Sequence, residues 1–115
     1  MGAELNETER VLPGGGVVDD RRGADEREGT RFFTVGTDRF LSGWGKAPGR
    51  SYFALPCLTI EEAETCAENL RRRGDMLRVR IVGRGWRPKL GPGDHLSIRN
   101  REEASRHYVK GGWEA

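Results

Sequence analysis

The chain is poor in the residues that build secreted scaffolds, metal centres and membrane anchors. It has two cysteines, Cys57 and Cys66, and two histidines, His95 and His107. Two thiols are too few and too close together to staple a small extracellular domain, so a reduced, cytoplasmic setting is expected. No run approaches the roughly 18 continuous apolar residues of a membrane span. The first residues lack a basic region followed by an apolar stretch, so no secretory signal is expected. The spacings Cys57 to Cys66 and His95 to His107 are far from those of compact zinc pairs, and neither metal nor cofactor is expected.

Catalytic motifs are scarce as well. Gly45-Lys46 looks like the end of a phosphate loop, but Phe40 stands where its first glycine belongs and Ala47 replaces the metal-binding hydroxyl. Pro48 and Pro88 fill the third-glycine slot of a dinucleotide fingerprint. Cys66 falls on an apolar helical stripe, without the electropositive, exposed setting that a nucleophilic thiolate needs. His95, Ser97 and Arg99 alternate on one strand and make the only plausible polar site, for which a solvated strand face is the simpler account. A non-enzymatic protein is the expectation.

Charge is plentiful and unevenly spread. Residues 1–30 hold 8 acids and 4 bases, a net charge of −4 within a chain of +2, so residues 31–115 carry the positive balance. That opening stretch includes Gly14-Gly15-Gly16 and no aromatic residue. Few apolar groups and many charges do not offset the entropy of ordering, which predicts a mobile acidic arm over 1–30 and one compact domain over 31–115. Val11, Leu12, Val17 and Val18 could dock on the domain, but no periodicity marks an element there.

The domain reads as strand, strand, helix, strand, strand, short helix: an α+β fold with a small antiparallel sheet of about four strands. Arg31 to Thr37, with Phe32, Phe33, Thr34 and Val35, is β-branched and aromatic. In Ser51 to Cys57, Phe53, Leu55 and Cys57 share a face, and Pro56 suggests an edge strand or a strand end. Thr59 followed by Glu62 makes a capping box that starts the main helix at Ile60. Ile60, Ala63, Cys66, Ala67 and Leu70 form its apolar stripe, Arg71 to Arg73 complement the dipole, and Gly74 stops it. From Met76 to Val82, Leu77, Val79 and Ile81 alternate with Arg78 and Arg80. Gly91-Pro92-Gly93-Asp94 turns the chain into His95 to Arg99, with Leu96 and Ile98 facing in. Asn100 then caps a short helix from Arg101 to about His107.

Two features point to binding. From Arg71 to Lys89, eight cations are opposed only by Asp75, and Arg78 with Arg80 on one sheet face could track a phosphate backbone. The same run could instead complement the helix dipole and solvate an exposed face. Two loops, Gly43-Trp44-Gly45-Lys46-Ala47-Pro48 and Gly83-Arg84-Gly85-Trp86-Arg87-Pro88, share a Gly-x-Gly-x-x-Pro pattern with an embedded Trp and cations. Such loops suit base stacking or a protein anchor; equally, both tryptophans could fold back over the core. The candidate contacts are Arg39, Trp44, Lys46 and Arg50 in one loop, with Arg78, Arg80, Arg84, Trp86 and Arg87 around the other.

The run Thr37-Asp38-Arg39-Phe40-Leu41-Ser42-Gly43-Trp44-Gly45, then the glutamate-rich helix and Gly74-Asp75-Met76, resembles small proteins encoded by phages and mobile elements. The likeness spans about residues 31–100. That family's biochemical role is undefined, so the resemblance implies only a setting in which small accessory proteins bind nucleic acid or block host defence complexes. The expectation is therefore a module that binds nucleic acid or a host nucleoprotein complex, with no membrane partner. The alternative is an anti-defence inhibitor resembling anti-CRISPR proteins, one that seizes a host effector protein directly. The acidic arm could cover the basic face when no partner is bound.

Overall fold

Thr59 starts the longest helix as its spacing from Glu62 predicts: its Oγ1 accepts a hydrogen bond from the Glu62 amide at 3.1 Å. The computed structural model describes residues 8–40 and 49–109. In chain order they form β1 (Glu9–Val11), β2 (Val17–Asp20), α1 (Ala24–Gly29), β3 (Phe32–Asp38), β4 (Ser51–Cys57), α2 (Ile60–Arg73), β5 (Met76–Gly83), β6 (His95–Ile98) and α3 (Arg101–Ser105). Gly74 closes α2 in the left-handed conformation that a residue without Cβ adopts cheaply. Ala63, Cys66, Ala67 and Leu70 of α2 are buried, but Ile60, expected on the same stripe, is exposed in the first turn.

The fold is α+β, as expected, but its sheet is larger and mixed. Six strands lie in the order β1-β2-β6-β4-β3-β5. β3 pairs antiparallel with both β4 and β5, whereas β6 runs parallel to β4 and to β2. The expected all-antiparallel sheet fails at one connection. β5 ends beside Phe32, at the far end of the sheet from His95, where β6 begins. Residues 84–94 must therefore run back along the sheet, the crossover that parallel strands require.

Of the stretch 1–30, expected as a mobile arm, residues 8–30 form β1 and β2, which join this sheet, and the helix α1. The β1–β2 hairpin closes through Leu12 N to Gly16 O at 2.7 Å and Gly15 N to Leu12 O at 2.9 Å. β2 then lies against β6 over Val17–Asp20, and Val18, Asp19 and Asp20 are buried. Three of the acids that argued for mobility are engaged: Asp19 accepts from Thr8 and Arg21, Asp20 from Arg22, and Glu26 from the Arg101 amide. Strands of three and four residues are too short for a period to show.

A second correction concerns β5. Val35 faces Arg80 while Thr37 faces Leu77, so β5 has one more residue than β3 between these pairs, and Arg78 takes a φ of 56°. This bulge reverses the alternation. Val79 packs in the core beneath α2, whereas Leu77, expected on the same face, is exposed. Arg78 and Arg80 consequently do not form a regular stripe. Pro56 sits where expected, near a strand end: β6 pairs with β4 only as far as Ala54.

The two faces of the sheet bury separate cores. Under α2 and α3 lie Leu55, Cys66, Leu70 and Ala104. The opposite face gathers Val18, Phe33, Val35, Ala54, Leu96 and Ile98 with Leu90, flanked by Leu12, Tyr52, Val82 and Trp86. The crossover supplies Trp86 and Leu90 to this second core. Gly16 meets Leu90 so closely that a Cβ at that position would overlap the leucine side chain.

Candidate nucleic-acid interface

The crossover does not fill its face completely. Between Trp86-Arg87-Pro88 and the β1–β2 hairpin lies a cleft of about 540 Å³. Phe33, Val18, Leu96 and Ile98 are among its apolar lining, and among the described residues Arg10, Arg22, Arg27 and Arg87 line it with a single carboxylate, that of Asp20. These arginines come from β1, the β2–α1 turn, α1 and the crossover, so distant parts of the chain converge on one place.

Asp20 does not cancel the rim. Its Oδ1 accepts from Arg22 Nε at 2.9 Å and from the Arg22 amide at 3.1 Å, and its Oδ2 accepts from Arg22 Nη2 at 2.8 Å. Burial works to raise the Asp20 carboxyl, but the Arg22 hydrogen bonds outweigh it and hold the group below the usual carboxylate range. Arg22 in turn lies over the Phe33 ring, with Cζ 4.9 Å from the centroid. Arg22 takes the hydrogen bonds of Asp20, and the charge of Arg27 also acts on that carboxylate; Arg10, Arg27 and Arg87 are the exposed cations of the lining. Trp86 is half-buried, and the Arg80 guanidinium stands 5.9 Å from its ring. Arg87 Nη1 donates to the Trp86 carbonyl at 2.9 Å, which ties the loop to its own backbone.

The residues expected at the site separate into groups. Trp86 and Arg87 line the cleft, Arg80 stands near the Trp86 ring, and Arg84 is exposed in the turn between Gly83 and Trp86. Arg78 is exposed at the bulge. Arg39 and Arg50 are exposed at the opposite end of β3 and β4 from Phe33, with the Arg39 amide donating to Asp75 O and the Arg50 amide to Asp94 Oδ1. Trp44 and Lys46 lie outside the described residues, as does most of the loop from Thr37 to Arg50. Arg10, Arg22 and Arg27 were missed because they belong to the acidic opening stretch. The signal that could have found them is the Asp20-Arg21-Arg22 spacing, in which an acid can neutralise a neighbour and leave the other bases uncovered.

A smaller cavity of about 260 Å³ lies on the helix face. Arg73, Arg99 and Arg106 line it together with Asp38, Asp75 and Glu103, so its charges balance. Arg73 pairs with Asp75, and Arg99 with Glu103 at 2.9 Å. Burial, with Arg73 nearby, pushes His107 in this cavity down to about 4, so it is neutral at physiological pH. The strand trio offers no relay either: Ser97 is buried, Arg99 is turned to Glu103 and the Phe53 ring, and among the described residues no hydrogen bond joins His95 to Ser97. Among the described residues no group of three or more His, Cys, Asp or Glu could hold a metal. Cys57 and Cys66 are both buried between β4 and α2, and the Cys57 thiol together with burial pushes the Cys66 thiol up.

No family model, characterised protein or solved structure matches this chain. No helix among the described residues is long and apolar enough to cross a membrane.

Proposed function

We propose that the chain is a non-enzymatic module that binds nucleic acid through the cleft beside Trp86. One observation carries this reading: four arginines line an apolar cleft whose only carboxylate among the described residues is occupied by Arg22. A surplus of uncovered guanidinium groups attracts phosphates and releases their counterions. The half-buried Trp86 adds a surface on which a base can stack. The balanced cavity beside His107 has no such surplus and is a weaker anion site. A setting in a phage or mobile element, the one the resemblance over residues 31–100 implies, and in the cytoplasm belongs to the same proposal; the two free thiols fit a reducing compartment.

Fluorescence anisotropy with labelled DNA and RNA at low salt tests the reading. Affinity should fall steeply as salt rises, with a slope set by the number of phosphates contacted. A chain that ignores naked nucleic acid but forms a nuclease-resistant complex with a host protein would overturn it and favour direct inhibition of an effector.

A further inference from the structure

We infer that the cleft holds one unstacked nucleotide, its base lying between the Trp86 ring and the Arg22 guanidinium and its phosphates on Arg10, Arg27 and Arg87. The inference rests on the nucleic-acid reading and narrows it to single strands and free nucleotides. Two planar groups line the cleft, and each has contacts that restrain it. The Arg22 guanidinium donates two hydrogen bonds to Asp20, and its Cζ lies 4.9 Å from the Phe33 ring centroid. Trp86 has the Arg80 guanidinium 5.9 Å from its ring, and its carbonyl accepts from Arg87. Planar groups with little freedom to move lose little entropy when a flat ring enters.

The apolar lining formed by Val18, Leu96 and Ile98 offers nothing to a sugar-phosphate backbone but matches the face of a base. A volume of about 540 Å³ falls within the roughly 300–1,000 Å³ of small-molecule pockets. It is far more than a bare phosphate needs and far less than a duplex occupies. Bases inside a duplex are stacked on one another and cannot reach the two walls. The exposed arginines then serve the phosphates attached to the inserted nucleotide, whether it is free or part of a strand.

The test uses the full chain and labelled strands of about 12 nucleotides, within the range one small domain covers. The arms are a single strand, its matched duplex, the same single strand with abasic positions, and the mononucleotides AMP and UMP as competitors. The single strand should bind at least about fivefold tighter than both the duplex and the abasic strand at equal salt, since stacking one base contributes about 5- to 150-fold. AMP should compete better than UMP because its base offers more stacking area; competition by neither would overturn the binding of free nucleotides. Trp86→Leu should weaken the single strand by a similar factor without changing the salt slope, because no charge is lost. Equal affinity for single strand, duplex and abasic strand would overturn the clamp while sparing the broader reading. Absence of binding to every probe would overturn both. The comparison of strands on the unaltered protein stands even if Trp86→Leu fails to fold.

Discussion

Arg22 lies over Phe33 with its Cζ 4.9 Å from the ring centroid, and the same guanidinium holds the Asp20 carboxylate at 2.8 Å. This contact binds the end of β2 to the start of β3 across a core face and sets one wall of the cleft. Both side chains of the ion pair are largely withdrawn from solvent, Arg22 at 12% and Asp20 at 8% exposure. Removing one partner from such a pair leaves an uncompensated charge. Asp20→Ala should therefore destabilise the fold by about 3 kcal/mol. Urea denaturation measures it, with an unchanged m-value expected because the surface exposed on unfolding stays the same.

Stability should fall with acid in two windows. His107 has its folded pKa lowered to about 4 from the ordinary 6.5, chiefly by burial. Its neutral form is the one the fold prefers, so that contribution is complete above pH 6.5 and disappears as pH drops toward 4. Asp19 and Asp20 are also lowered, from 3.8, so their contribution is complete above that value and is lost below it. Urea midpoints taken between neutral pH and about pH 4 should fall, and His107→Gln should flatten this first part of the profile while leaving the lower window in place.

Gly16 is the contact between the hairpin and the crossover. A Cβ there would overlap the Leu90 side chain, so Gly16→Ala must push the two cleft walls apart or shift Leu90. Overpacking of this kind costs about 1–3 kcal/mol. Thermal denaturation should register that loss, and anisotropy should register a weaker complex with single-stranded nucleic acid. An unchanged complex in a destabilised protein would show that Gly16 does not set the cleft.

Much of the fold was legible because local chemistry decides it. Thr59, Glu62 and Gly74 set both ends of α2, and the runs around Phe33, Leu55, Ile81 and Leu96 became strands. Two features were decided at long range. Val17 and Val18 pair with β1 on one side and with β6, distant in sequence, on the other, and nothing local marks the pairing with β6. Arg78 takes a left-handed conformation that its own side chain does not favour, so the reversal of β5 left no trace in the pattern. The site was half visible for the same reason. Trp86 and Arg87 lie in a conspicuous loop, whereas Arg10 and Arg27 sit in a stretch whose net negative charge hides that Asp19 and Asp20 are engaged within it.

The bulge gives a prediction of its own. Glycine adopts the φ of 56° at position 78 without the steric cost that arginine bears. Arg78→Gly should accordingly stabilise the fold by about 0.5–1 kcal/mol, and Arg78→Val should destabilise it. Because Arg78 does not line the cleft, nucleic-acid affinity should change far less in Arg78→Gly than in Arg87→Ala. Denaturation midpoints and anisotropy on the same preparations read both effects.

The central claim is that the cleft arginines hold phosphates. Its most direct test is the salt dependence of single-strand binding for the unaltered chain and for Arg10→Ala, Arg27→Ala and Arg87→Ala combined. On a single strand each lost phosphate contact should lower the slope of log K against log salt by about 0.7, so the triple variant should bind weakly with a slope reduced by about two. A triple variant that keeps the affinity and slope of the unaltered chain would contradict the assignment of the cleft.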